Sequence, residues 1–262
     1  MAANHQAATA GFLIPDWDVP TGVRAAVSTR RAPGVSLAPY DDCNLGDHVA
    51  DDPVAVRRNR QLVRQALGLP AEPLWLDQVH GSAAHRASQT SMCTPAQTAP
   101  RADAAFTGER NVVLAVLTAD CLPLLFAASD GSEVAAVHAG WRGLAAGVIE
   151  ATVRALQTPP ERLQVWLGPA IGPNAFEVGE DVYAAFVDWH PSAAAAFEPS
   201  PAGRNGHWLC DLYQLARLRL QALGLQRISG GQHCTYSEPE RFYSYRRDRH
   251  CGRMASLIWL ES

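Results

Sequence analysis

Two apolar, β-prone runs, Leu122 to Ala128 and Glu133 to His138, flank Ser129-Asp130-Gly131-Ser132, a segment with hairpin-turn chemistry. A hairpin placed there puts Cys121 and His138 at the same open end. Side chains alternate along a strand with a period of two, so an even number of loop residues also turns both toward one face of the sheet. A thiol and an imidazole thus converge. His80 ends a third strand-like run, Leu74 to Val79, and is followed by Gly81, which suits a ligand held at a strand end. Two imidazoles and one thiolate form a transition-metal set, and three protein ligands leave a zinc ion a fourth position for water or substrate. The residue types alone also fit a packing cysteine and ordinary histidines. Their neighbours favour a site, because Asp120 and Cys121 interrupt an otherwise core-forming run from Leu117 to Phe126, and buried polar groups need partners.

A chain of 262 residues that is 47% hydrophobic and 18% charged can bury one large core. No long linker divides it, so a single domain is expected over residues 21–262, with residues 1–20 as a loosely held extension. The net charge of -4 provides no cationic surface for nucleic acid or an anionic membrane. No apolar stretch reaches the roughly 18 residues of a membrane span, and the Ala-rich start lacks a basic region followed by an apolar signal core. A cytoplasmic protein is expected. Cys43, Cys93, Cys121, Cys210, Cys234 and Cys251 form no CxxC pair, so disulfides are not expected and the five other than Cys121 read as packing residues.

Val23 to Thr29 reads as a first strand. Asp51-Asp52-Pro53 starts a helix whose apolar face is Val56, Val63 and Leu67, ending before Gly68. Residues 87–101, rich in Ser, Thr, Ala and Pro, read as a loop, and Asn111 to Thr118 as a buried strand. After His138, the stretch Ala139-Gly140-Trp141-Arg142-Gly143 turns into a helix of about a dozen residues. Leu163 to Leu167 is a strand, Gly168 to Pro173 cannot be regular, Asp211 to Leu223 is an amphipathic helix, and Ala255 to Leu260 is a terminal strand. Hairpins interleaved with helices indicate an α+β domain rather than a strict βαβ repeat.

Thr118-Ala119-Asp120-Cys121-Leu122-Pro123, Val137-His138-Ala139-Gly140-Trp141-Arg142-Gly143, Gly168 to Pro173 with Phe176-Glu177-Val178-Gly179, and Phe242-Tyr243-Ser244-Tyr245-Arg246-Arg247-Asp248 resemble the YfiH family. It is also called the laccase-domain or multicopper polyphenol oxidase family. The resemblance runs from about residue 12 to the end. It implies a single-domain four-layer α/β/β/α fold with mixed β-sheets and a metal held by His80, Cys121 and His138, zinc first and copper as the alternative. It also implies purine nucleoside phosphorylase activity, in which adenosine, inosine, guanosine or methylthioadenosine reacts with phosphate to free base and pentose 1-phosphate, together with adenosine deaminase activity. The expected partners are these small molecules, and the expected state is a monomer or homodimer. Some relatives carry cysteine where this chain has Asn174 or Ala175, so those thiols are not general catalysts.

Three other readings stand beside this one. A multicopper oxidase requires a blue-copper site plus a cluster rich in paired histidines, and the chain has no His-x-His pair; a single Cys-His-His site could still bind copper and oxidise phenols. A Cys/His pair, or a zinc-assisted water, could cleave an amide, as in editing of mis-built peptidoglycan precursors. The third is a partner-binding domain with a structural zinc. For the phosphorylase and deaminase reading, Asp120 is the candidate acid/base, or a structural acid if it points away from the metal. Arg142, near a helix start with Gly140 and Gly143, is the candidate phosphate contact, with an ion pair in the turn as the alternative. Tyr243, Arg246 and Arg247 form an aromatic and basic cluster suited to a base and a phosphate. Asn44, in Asn44-Leu45-Gly46-Asp47-His48-Val49, is the candidate nucleoside contact. His48 is set aside as a fourth ligand, because a closed tetrahedron is structural.

Overall fold

Both strands of the central hairpin, Leu122–Ala128 and Val134–Ala139, are buried along their whole length, so each needs apolar cover on two faces. The computed structural model describes residues 11–92, 98–201 and 203–262, and it supplies that cover in layers. The strands and helices before the hairpin are β1 (Phe12–Leu13), β2 (Val23–Ser28), α1 (Pro53–Leu67), β3 (Ala84–Arg86), α2 (Gln89–Met92), β4 (Ala104–Thr107) and β5 (Val113–Thr118). The hairpin strands are β6 and β7. After them come α3 (Trp141–Ala145), α4 (Val148–Ala155), β8 (Leu163–Leu167), β9 (Glu177–Gly179), α5 (Glu180–Val187), β10 (Phe197–Pro199), β11 (His207–Cys210), α6 (Leu212–Ala222), β12 (Arg227–Gly230), α7 (Tyr245–Asp248) and β13 (Met254–Leu260).

One antiparallel sheet has the order β1-β2-β13-β5. A second, mixed sheet has the order β12-β8-β6-β7-β4-β3, with parallel pairs at its two edges, and a small third sheet is β10-β11-β9. Alternation along β6 and β7 sorts the core. Leu125, Ala127, Val134 and Ala136 face Val27, Leu114, Val116 and Ile258 of the first sheet. Leu124, Phe126, Ala135 and Val137 point the other way, onto Val148, Ile149, Phe186 and Leu220 of the helices. The outer face of the first sheet, through Ala115, Leu117 and Leu257, packs with Val63 and Leu67 of α1. The layers are therefore α/β/β/α, as expected.

Local chemistry explains the ends of α1. The Asp52 carboxylate accepts from Val54 N, Pro53 occupies the first turn, and Gly68 closes the helix in the left-handed region at φ 59°, a conformation glycine takes without a Cβ penalty. Asp211 caps α6 in the same way, accepting from Gln214 N.

Four expectations change. Phe12–Leu13 pairs with β2, and Leu13, Trp17 and Val19 pack against the sheet–sheet core, so residues 12–19 belong to the domain; residues 1–10 lie outside the described residues. The helix after His138 is two short helices, broken where Gly147 adopts φ 86°. Residues 87–101 contain the single turn α2, and Cys93 with residues 94–97 lies outside the described residues. Leu74 to Val79 is no continuous strand, because it crosses between the sheets. Leu74 bridges to Leu114 of the first sheet and Asp77 to Arg101 beside the second. Among the described residues Cys43, Cys121, Cys210, Cys234 and Cys251 are free thiols.

Burial on both faces makes a direct forecast for adjacent positions of β6. Leu125→Ala should cost about 2–5 kcal/mol and Phe126→Ala about 3–5 kcal/mol, both read from urea midpoints of the metal-chelated protein. A large loss at only one of the two would mean that one face of the strand is solvated.

Candidate metal centre

Strand ends from both sheets meet at one opening. Pro123 pairs with His138 in the hairpin, and Cys121 lies two residues before Pro123, so the period of two turns its side chain to the same face as the histidine. His80 follows the segment that crosses between the sheets and takes φ 59°. The ligand atoms of His80, Cys121 and His138 all lie within 4.8 Å of one another. Cys121 Sγ is 3.6 Å from His80 Nε2, and the two imidazole rings are 4.7 Å apart at 76°. A Cβ on Gly140 would come within 2.8 Å of Cys121 Sγ and 2.9 Å of the His80 ring, and one on Gly143 within 2.8 Å of Gly81 O. These glycines let the backbone pass close to the ligands.

A buried carboxylate absent from the sequence candidates organises this set. Asp103 Oδ1 lies 2.8 Å from His138 Nδ1 and accepts from His80 N at 2.9 Å, while Oδ2 accepts from Gly81 N at 2.7 Å. Its own carbonyl accepts from His138 N at 2.7 Å. Burial works to raise the Asp103 carboxyl, but these hydrogen bonds and the His138 charge outweigh it and hold it below the usual carboxylate range. With Nδ1 occupied, His138 has Nε2 left for a metal, the arrangement in which an outer carboxylate sets the tautomer and orientation of a ligating histidine. Burial likewise works to raise the Cys121 thiol, but the His138 charge and hydrogen bonds from His138 and His80 bring it down to about 6. A pre-formed thiolate and two oriented imidazoles fit a zinc-like ion. The one sequence signal for Asp103 is an acid standing alone among alanines, Ala102-Asp103-Ala104-Ala105.

The triad opens into a cavity of about 640 Å³ that is also lined by Asp47, His48, Arg60, Trp75, Tyr245 and Arg253, a volume in the range of small-molecule sites. The Arg60 guanidinium lies 4.1 Å over the Trp75 ring, 3.3 Å from the Asp47 carboxylate, and donates to Leu45 O. Burial, together with Arg253, lowers the pKa of His48 below the ordinary histidine value, so it is neutral at pH 7.

The remaining sequence candidates do not line this cavity. Asp120, at φ 92°, is buried and accepts from Thr235 Oγ1 and Arg246 N, each at 2.6 Å; it joins α7 to the loop before β6. Asn44 is fully engaged, donating to Gly46 O and Asp51 Oδ2 and accepting from Gly46 N and Arg253 N. Tyr243 is buried and donates to Tyr40 O. Arg246 donates to Glu177 O, and Arg247 to the carbonyls of Thr235, Tyr236 and Phe242. Arg142 is exposed and stacks on Trp141 at 4.2 Å. Trp75, Tyr245 and Arg253 were missed because the cavity draws them from three distant segments.

Asp103→Asn keeps the shape of the side chain but removes its charge. It should lower metal affinity about 10–100-fold, measured against a competing chromophoric chelator, with the far-UV circular dichroism unchanged. Wild-type affinity in that variant would mean that Asp103 does not orient the ligand.

The family model described as multi-copper polyphenol oxidoreductase laccase matches residues 24–261. A Xylella fastidiosa protein named purine nucleoside phosphorylase is 53% identical over 253 residues, covering 95% of this chain and 96% of the relative. The Escherichia coli protein named purine nucleoside phosphorylase YfiH is 49% identical, covering 95% and 98%. A crystal structure of a Neisseria meningitidis protein superposes with a TM-score of 0.89 at 47% identity, covering 96% of this chain and 100% of that one. The fold, the converged His-Cys-His set and these matches over nearly the whole length make the chain a member of the laccase-like YfiH family.

Proposed function

We propose that this protein is a zinc-dependent purine nucleoside phosphorylase of the cytoplasm that also deaminates adenosine. The observation that carries the reading is the His80–Cys121–His138 set, with ligand atoms within 4.8 Å, at the wall of a nucleoside-sized cavity. It is supported by relatives of about half identity named for that activity. Zinc held by these three residues supplies a Lewis acid beside the cavity. In phosphorolysis a phosphate oxygen bonds to C1′ of the pentose as the C1′–N9 bond breaks, and the purine leaves with the electron pair and takes up a proton. Trp75 and Tyr245 offer aromatic surface to the purine. Asp103 keeps the His138 ring from rotating. Deamination would use water as the nucleophile at C6 in the same cavity.

The laccase description invites copper chemistry, but His80, Cys121 and His138 make a single three-ligand group among the described residues. A multicopper oxidase needs several metal sites. Copper in this one site is a substitute ion in this reading. Among the described residues no helix is long and apolar enough to cross a membrane, and nucleosides with phosphate are the proposed partners.

Phosphate decides the product. With phosphate, adenosine should give adenine and ribose 1-phosphate by mass spectrometry; without it, inosine should still form and adenine should not. Adenine release that ignores phosphate would make the protein a hydrolase. Cys121→Ala removes the soft ligand, so zinc per chain, read by elemental analysis, should fall well below the wild-type level along with both activities. Full zinc content in that variant would remove Cys121 from the site.

A further inference from the structure

The cavity beside the triad contains a guanidinium that no carboxylate among the described residues neutralises. Arg253 immediately precedes β13, whose first residue, Met254, pairs with Thr118 at the end of β5. That pairing delivers Arg253 to the strand ends where Thr118 and Cys121 line the cavity. Its backbone N–H donates to Asn44 Oδ1 at 2.9 Å, and Nη1 donates to the carbonyls of Cys251 and Gly252 at 2.9 and 3.0 Å. Nη1 also lies 3.6 Å from Cys251 Sγ and the guanidinium carbon 5.9 Å from the Tyr245 ring centre, while Nε and Nη2 have no hydrogen-bond partner among the described residues. The stem is held in place, since a Cβ on Gly46 would come within 2.7 Å of Arg253 Cγ; the same Cβ would lie 3.3 Å from His48 Cε1, so arginine and imidazole share one wall. Holding a half-buried cation without a counter-charge costs free energy unless an anion arrives to meet it.

The other cations are already engaged. Arg60 is paired with Asp47 and bound to Leu45 O. Arg246 and Arg247 are bound to backbone carbonyls, and Arg142 stacks on Trp141 outside the cavity. Of the two carboxylates that line the cavity, Asp47 belongs to Arg60, and Asp77 is exposed on the segment leading to His80.

We propose that the free Nε and Nη2 of Arg253, with His48 beside them, form the seat for the phosphate oxyanion. The assignment rests on the phosphorylase reading above and gives the phosphate a position on the wall built by β5 and β13. A guanidinium with two free donors matches two phosphate oxygens in one plane, which a lysine cannot reproduce.

The test is calorimetric titration of inorganic phosphate into the metal-loaded wild type, R253Q, R253K and R142Q, alone and with a purine base present. R253Q should weaken phosphate binding about tenfold or more, and R253K, which keeps the charge and loses the fork, about threefold. R142Q should bind as the wild type does. Metal content and Tm are measured for each; if R253Q fails to fold, R253K carries the comparison. Wild-type affinity in both Arg253 variants, loss in R142Q instead, or no phosphate binding by the wild type overturns the seat. Because titration needs no turnover, the two readings separate. Phosphate bound through Arg253 without phosphate-dependent base release keeps the seat and removes the phosphorylase. Phosphate-dependent release whose phosphate KM is unmoved in R253Q does the reverse.

Discussion

The Asp103 carboxylate joins two ligands that come from unrelated parts of the chain. It receives the His138 ring at Nδ1 and the backbone N–H groups of His80 and Gly81, with its own carbonyl paired to His138 N. A charge buried this deeply is costly unless every lone pair finds a donor, and here the donors are the metal-site backbone and ring themselves. The carboxylate is satisfied only when the His80 turn and the β7 end are both in place. Bringing these two segments together also places the metal ligands.

The layering explains why the site sits where it does. The β6–β7 hairpin is buried on both faces, and its middle is lined by apolar side chains. Chemistry is pushed to the strand ends, where apolar packing stops. There the second sheet contributes Cys121 and His138, the first contributes Thr118 and Arg253, and the crossing segment supplies Trp75 and His80. Gln78 locks that segment to the first sheet by donating to Leu117 O and accepting from Leu117 N. A site built between two sheets inherits the rigidity of both.

The motifs divide into residues that line the cavity, among them Cys121, His138 and Tyr245, and residues that do not. Asp120, Asn44, Tyr243, Arg246 and Arg247 stand in the most recognisable motifs, yet their hydrogen bonds are spent on neighbouring loops. They hold the loops that shape the opening. Asn44 shows the connection, because the same amide that closes its own turn also accepts from Arg253 N and so aims the cavity cation. Gly140 and Gly143 likewise serve close approach to the ligands.

Local rules in the sequence were sufficient for the hairpin, the ends of α1 and α6, the terminal strand and the pairing of Cys121 with His138. Turn chemistry, capping and a period of two act over a few residues and do not depend on the rest of the fold. The place of His80 before Gly81 put it in the ligand set, and resemblance added the four layers. The extension at residues 12–19, the break at Gly147 and the crossing of Leu74–Val79 escaped, because each depends on what packs against it. The same holds for Asp103, Trp75, Tyr245 and Arg253. An isolated acid beside alanines or an arginine before a strand carries no local signature of a partner far along the chain. Only the tertiary structure could bring the ends of two sheets together and decide which buried charges are neutralised and which are left facing the cavity.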